Sequence, residues 1–270
     1  AATPTEKMRI TNAGNVGIGT SAPYSQLSLG SSTNPDGNSM ISWNISNESL
    51  QNIFPVRGGA EFHLARGYKS DDAVSNQYQS SYSTVTNRAG VAVTNGGIKF
   101  YADSTATIAD GAAYVPTERM RIDSTGNVLV GTTDSSVYNN SSNTSADNGI
   151  NLMSDGRIYA AKSGASVAIL NRTNNDGTIL QFNRSGALAG AIGSFASDLT
   201  LGKTTAGLRF EDSTSTIRPH NVSTNVAADG LIALGSSDSR FKDLHLSGGI
   251  VTATGNVTVS DKPIYANTNT

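Results

Sequence analysis

One segment occurs twice in this chain. Residues 4–20 read PTEKMRITNAGNVGIGT and residues 116–132 read PTERMRIDSTGNVLVGT, a constant offset of 112 with 11 of 17 positions identical. Each copy predicts one short hairpin. Met8 and Ile10, or Met120 and Ile122, alternate with polar neighbours as a half-buried strand does. A Gly14-Asn15 or Gly126-Asn127 corner follows, built from residue types that tolerate positive φ. A second strand then leaves through Val16 and Ile18, or Val128 and Val130. TGNVTVS at 254–260 echoes the pattern, and INLMSDGRIY at 150–159 echoes it more weakly. A hairpin this small is marginal alone in water, and copies so far apart do not stack as a solenoid. The expected remedy is that equivalent hairpins of several chains meet about a closed axis, three-fold for a rod. Met8, Ile10, Val16, Ile18, Met120, Ile122, Val128 and Val130 are the expected core of that homotrimer.

The remaining chain has period two. Leu27/Leu29, Val91/Val93, Ile98/Phe100, Leu199/Leu201, Leu244/Leu246 and Val257/Val259 read as half-buried strands. Turn signals at Asn34-Pro35-Asp36-Gly37, Asn95-Gly96-Gly97, Asn175-Asp176-Gly177 and Ala228-Asp229-Gly230 separate them. No segment carries a convincing three-turn helix; the best, Ser236 to Leu246, is short. The expected class is all-β: an elongated homotrimeric fibre of intertwined hairpin and β-prism segments with a small inserted β domain. Its expected parts are a hairpin module at 1–23, an inserted domain at 24–115 as a candidate receptor-binding knob, and the repeated hairpin at 116–135. A polar linker at 136–148 and a β-rich fibre region at 149–270 complete it. Only 56 of 270 residues are Leu, Ile, Val or Phe, whereas Ser (35), Thr (28), Asn (25) and Gly (28) abound. A core shared between protomers explains how such a chain is stable.

Charge and composition exclude several classes. A formal net charge of −2 gives no basic face for nucleic acid or an acidic membrane. No apolar run reaches the ~18 residues of a spanning helix, so no membrane insertion is expected. The first residues lack a basic start and an apolar stretch, so no signal peptide is expected. With Cys 0, disulfides and thiol chemistry are absent.

The pattern E-[KR]-M-R-I-x-x-x-G-N-V-x-[IV]-G-T, carried from Glu6 and again from Glu118, resembles segments of bacteriophage tail fibres and tailspikes. Leu170-Asn171-Arg172, Gly190-Ala191-Ile192-Gly193, Gly207-Leu208-Arg209-Phe210, Ile217-Arg218-Pro219 and LGSSDSRFKDLHLSGG at 234–249 are similar to fibre proteins of marine and cyanobacterial phages. Residues 24–115 are outside the resemblance. It implies a virion location, assembly with tail or baseplate proteins, and attachment to a host surface glycan or protein receptor. In that family an endosialidase-type intramolecular chaperone often follows; its catalytic dyad has no counterpart in this sequence.

Candidate chemistry is sparse. Gly17-Ile18-Gly19-Thr20-Ser21-Ala22 matches a dinucleotide fingerprint formally, but Pro23 follows and no helix pattern does. No cofactor is expected. His63, His220 and His245 stand singly, so no metal site is expected. Glu61, Asp71 and Asp72, with tyrosines nearby, would serve a glycan depolymerase only if two carboxyls faced each other in a groove; adjacent Asp71 and Asp72 read as a solvated loop. The stretch 40–90 is the expected ligand-contacting region, with Tyr68, Tyr78, Tyr82, Arg66, Lys69 and Asp71 as candidate receptor contacts. Trp43 and Phe62 are expected to form the inserted domain's core. The sequence therefore predicts a non-enzymatic attachment fibre, with a depolymerase and a purely structural or capsid-attached spacer as alternatives.

Overall fold

A computed structural model describes residues 6–23, 25–29, 41–43, 51–56, 61–71, 74, 77–142 and 144–248. The chain is all-β; among the described residues the only helical turns are two short 3-10 turns, Val137–Asn139 and Ser145–Asp147. It divides into two units, Ala1–Ile169 and Leu170–Thr270.

The first unit opens with β1 (Met8–Ile10), β2 (Val16–Ile18) and β3 (Leu27–Leu29) in one small sheet, β3 running parallel to β2. Its later strands are β4 (Ile41–Trp43), β5 (Gln51–Pro55), β6 (Phe62–Arg66), β7 (Tyr68–Ser70), β8 (Tyr78–Ser80) and β9 (Val85–Thr86). Then come β10 (Ala89–Thr94), β11 (Gly97–Ala102), β12 (Ala106–Thr107), β13 (Ala113–Tyr114), β14 (Glu118–Asp123), β15 (Val128–Val130), β16 (Gly149–Leu152) and β17 (Ile158–Ala161). Nine of these form one antiparallel sheet in the order β17-β16-β15-β14-β11-β10-β6-β5-β4. A sheet of β13, β8 and β7 contributes Tyr114, Tyr78 and Tyr68 to the buried cluster under it, with Phe54, Val56 and Ala65 of the larger sheet's side. Gly90 makes room for this: a Cβ there would lie 2.2 Å from the Tyr68 hydroxyl.

The repeat folds as its residues predict. Met8 pairs with Ile18 and Ile10 with Val16; Met120 pairs with Val130 and Ile122 with Val128, the same register displaced by the repeat offset. Gly14 (φ +81°) and Gly126 (φ +86°) take the left-handed position at equivalent corners. The (i, i+3) ion pair recurs too, Glu6 with Arg9 and Glu118 with Arg121. The weak echo at 150–159 closes a third such corner, where Met153 N donates to Arg157 O and Gly156 (φ +88°) turns the chain. In the second corner one Asp123 oxygen accepts from Thr125 N, Thr125 Oγ1 and Asn127 N, all within 2.9 Å. Asn127 Oδ1 in turn accepts from Ser154 N at 2.9 Å, joining the second corner to the third.

Some expectations need correction. The sheet runs unbroken past residue 115, because β11 pairs with β14. Residues 136–148 are no loose linker: Val137 is buried and the first 3-10 turn packs against β16 and β17. Phe62 is not core; it points to the open face at 45% exposure, and His63 takes the inward position. Leu244 and Leu246 are exposed and in no strand. The 254–260 echo, Val257/Val259, the Asn34–Gly37 turn, Asp72 and the Trp43 side chain lie outside the described residues.

The second unit is a six-stranded antiparallel meander: β18 (Gly177–Arg184), β19 (Ala187–Phe195), β20 (Asp198–Lys203), β21 (Ala206–Glu211), β22 (Thr216–Asn221) and β23 (Val226–Ala227). Its β19–β20 corner puts Ala196 (φ +49°) and Ser197 (φ +71°) in the left-handed region without glycine. Asp176 braces that corner by accepting from Ala196 N at 2.8 Å.

Candidate interaction surface

The register of the nine-stranded sheet sorts its side chains into two faces of opposite character. One cross-strand row runs Ile41, Ile53, Leu64, Val91, Phe100, Met120, Val130, Ile150, Ala160, one apolar residue from every strand. The next row on that face is Pro55, Phe62, Val93, Ile98, Ile122, Val128, Leu152, Ile158. The opposite face carries Phe54, His63, Ala92, Lys99, Arg121, Leu129, Asn151 and Tyr159. Alternation predicts that the apolar face is inside. Here the mixed face is the covered one: Phe54, His63, Ala92, Leu129 and Asn151 are buried, while Leu64 is 51% and Ile158 73% exposed.

The same inversion recurs in the other two large pieces. In the first sheet Gly17 and Ser28 are buried, whereas Met8, Ile10, Ile18 and Leu27 are exposed. In the meander, Leu180, Leu201 and Leu208 line one row and Leu199, Phe210 and Ile217 another, all exposed. Its other face buries Ala191, Thr200, Glu211 and His220. There Arg209 bridges Asp198 (2.6 Å) and Glu211 (3.0 Å) and lies 4.7 Å over the Phe195 ring. A monomeric protein rarely leaves an apolar patch beyond a few hundred Å² in water. All eight hairpin residues expected at a shared core lie on such faces: Met8, Ile10, Ile18 and Val130 are exposed, and Val16, Met120, Ile122 and Val128 half-buried.

The covered face of the large sheet holds a polar cluster that the sequence named only in part. His63 is sandwiched between Phe54 (5.1 Å) and Tyr101 (5.8 Å), nearly parallel to both rings. Its Nε2 donates to Glu61 Oε2 at 3.1 Å, and its Nδ1 accepts from the Tyr68 hydroxyl at 3.3 Å. Tyr78 donates to the same Glu61 oxygen at 2.7 Å, and Lys99 lies 3.4 Å from the other. Burial holds the His63 imidazole below its ordinary range against the pull of Glu61. Burial pushes the Glu61 carboxyl up, but hydrogen bonds from Tyr78 and His63 and the Lys99 charge bring it net below its usual range.

Of the candidate receptor contacts, Tyr68 is fully buried and cannot meet a receptor. The aromatic residue that follows a strand is here drawn under the sheet to cover His63. Tyr78 spends its hydroxyl on Glu61. Asp71 caps the backbone of its own loop at Val74 N, 2.9 Å away. Arg66, Lys69 and Tyr82 are half-buried.

Sequence reading missed Arg88, which is 2% exposed. Its guanidinium donates to Gly67 O, Ala106 O, Ser80 Oγ, Tyr82 O and Ile108 O, at 2.7–3.4 Å. It lies 5.4 Å over the Tyr114 ring, pinning the loops that cover the sheet. No sequence signal separates such an arginine from a surface one. Among the described residues no three His, Asp or Glu converge as metal ligands, and no helix is long and apolar enough to cross a membrane. No family model matches this chain, and neither curated proteins nor solved structures include a match.

Proposed function

We propose that this chain is one protomer of a homotrimeric virion fibre, a tail fibre that presents attachment surfaces to a host cell. The observation that carries the reading is the uncovered apolar face: two unbroken apolar rows across the large sheet, with the same inversion in the first small sheet and in the meander. Three protomers that turn the apolar face of the large sheet toward a common axis remove it from water. Half-burying each such side chain further is worth about 1 kcal/mol, and the rows supply enough of them to hold an assembly. The twice-repeated E-[KR]-M-R-I…G-N-V motif supports the virion assignment. Attachment is favoured over glycan hydrolysis because Glu61, the best-placed carboxylate, has both oxygens engaged by Tyr78, His63 and Lys99.

The test is light scattering on the full chain. A mass three times the 27.9 kDa protomer is expected; a monomer at micromolar concentration removes the proposal. Binding of the labelled fibre to host cells then separates an adhesive fibre from a spacer. Release of reducing ends from capsule, lost on Glu61→Gln, would favour the depolymerase.

A further inference from the structure

Buried Tyr68 and engaged Tyr78 leave the attachment surface to be sought elsewhere, at the β17 end of the mixed face, beyond the buried Leu129 and Asn151. Tyr159 belongs to that face: it pairs with Asn151 and follows Leu129 in the mixed row, while its neighbours Ile158 and Ala160 point the opposite way. The first 3-10 turn sets Tyr138 beside it, ring centroids 4.6 Å apart at an interplanar angle of 47°. Tyr138 is 62% exposed. Tyr159 is half-buried, so the pair leaves one whole ring, Tyr138, and part of a second in water in a fixed V, and large aromatic area is seldom left there without a use.

Polar groups flank the rings. The Arg157 guanidinium lies 5.3 Å over Tyr159 and donates through Nε to Asp155 Oδ2 at 2.8 Å. Both side chains are more than half exposed. Two residues further along β17 opens a cleft of about 190 Å³ lined by Asn140, Ser141, Asp147, Ala161, Lys162 and Ser163. Its floor is fixed: Ser142 Oγ donates to Asp147 Oδ1 at 2.6 Å, and Ser163 N donates to Asn148 Oδ1 at 2.6 Å.

We infer that Tyr138, Tyr159 and Arg157 form a platform for a neutral pyranose glycan. The chemistry matches part for part. A pyranose has an apolar C–H face, which an aromatic ring covers at low entropic cost. It has vicinal hydroxyls, which a planar guanidinium fork and a carboxylate bond in pairs. The next sugar along the chain enters the cleft, where an amide, an ammonium and hydroxyls meet it. The Asp155 carboxylate neutralises Arg157, which disfavours a purely charge-driven ligand. Single-site binding would be weak, and three equivalent platforms on one assembly would raise it by avidity. The inference rests on the attachment reading for its biological sense, but not for its test.

The test uses the full chain with free hexamers of glucose, of N-acetylglucosamine and of sialic acid, read by saturation-transfer NMR and calorimetry. At least one neutral hexamer is expected to bind with Kd of roughly 0.1–5 mM, with saturation on its ring C–H protons. Tyr138→Ala is expected to weaken it about tenfold or more, and Tyr159→Phe to stay within about twofold. Circular dichroism and light scattering on each variant should match the parent, since Tyr138 is 62% exposed. The inference is overturned if no neutral hexamer binds up to about 10 mM, if Tyr138→Ala binds like the parent, or if only the sialic acid hexamer binds. Any of those results with a trimeric parent leaves the fibre proposal standing. A monomeric parent that still binds through Tyr138 refutes the fibre and keeps the platform.

Discussion

Leu64→Glu tests the assembly proposal at its centre. Leu64 sits between Ile53 and Val91 in the longer apolar row and is 51% exposed in the single chain. In an isolated protomer the new carboxylate stays hydrated. The chain then loses only part of one leucine's burial, about 1 kcal/mol. In the trimer each chain brings one carboxylate into an apolar interface, at about 3–5 kcal/mol per uncompensated charge, or roughly 9–15 kcal/mol for three. At about 1.4 kcal/mol per tenfold, the association constant falls by some six orders of magnitude or more. Ser83, exposed in the loop before β9, supplies the control Ser83→Glu. Sedimentation of parent, Leu64→Glu and Ser83→Glu should give trimer, monomer and trimer at micromolar protein. Thermal unfolding of the monomeric variant still reports a folded sheet. Acidification to about pH 5 restores part of the trimer, because an apolar surrounding raises a carboxyl's pKa and lets it take up a proton. The reasoning is refuted if Leu64→Glu sediments as the parent does, since the open face would then not be the contact.

Arg88→Met removes all five donations to the covering loops and leaves those oxygens buried; a loss of about 3 kcal/mol or more is expected, and a melting temperature within about 2 °C of the parent, a shift of roughly 0.5–1 kcal/mol for a unit of this size, would contradict it. Burial raises the Asp123 carboxyl, but hydrogen bonds from Thr125 and Asn127 hold it down to about 2 against an ordinary 3.8. Its contribution is therefore complete above pH 4 and lost as pH falls toward 2; with the solvent screening of an exposed corner it amounts to about 1 kcal/mol. Asp123→Asn should lower the melting temperature at pH 7 and narrow its gap from the parent at pH 2; an unchanging gap counts against the corner network. Ser197→Gly should stabilise the second unit by about 1 kcal/mol, because glycine accepts the left-handed corner without a Cβ clash; a lower urea midpoint would show that the serine side chain matters more than its backbone.

The hairpins were legible because one corner fixes everything near it. Once Gly14-Asn15 and Gly126-Asn127 are placed, the pairings Met8–Ile18 and Met120–Val130 follow from spacing alone. The Asn95-Gly96 turn between β10 and β11 was readable for the same reason. What alternation does not encode is which face is covered. In Phe62-His63-Leu64-Ala65 the pattern favours burying phenylalanine and leucine, yet the chain buries histidine and alanine. The decision comes from residues far along the sequence, Tyr68, Tyr78, Arg88 and Tyr114, whose loops return to that side. The corner at Ala196-Ser197 was hidden for a related reason: the ladder on both sides and Asp176 impose a conformation its own residues do not prefer. The pair of Tyr138 and Tyr159 was invisible because the first belongs to a stretch that reads as an unstructured polar tract.

The link from Asn127 to Ser154 has an evolutionary corollary. One bend is tied to the following bend, and each strand of the large sheet takes its ladder partners only from the strands beside it. A duplicated stretch of gene would thus carry its own alignment with it, so reach could grow or shrink in whole two-strand steps while the rest of the molecule kept its partners.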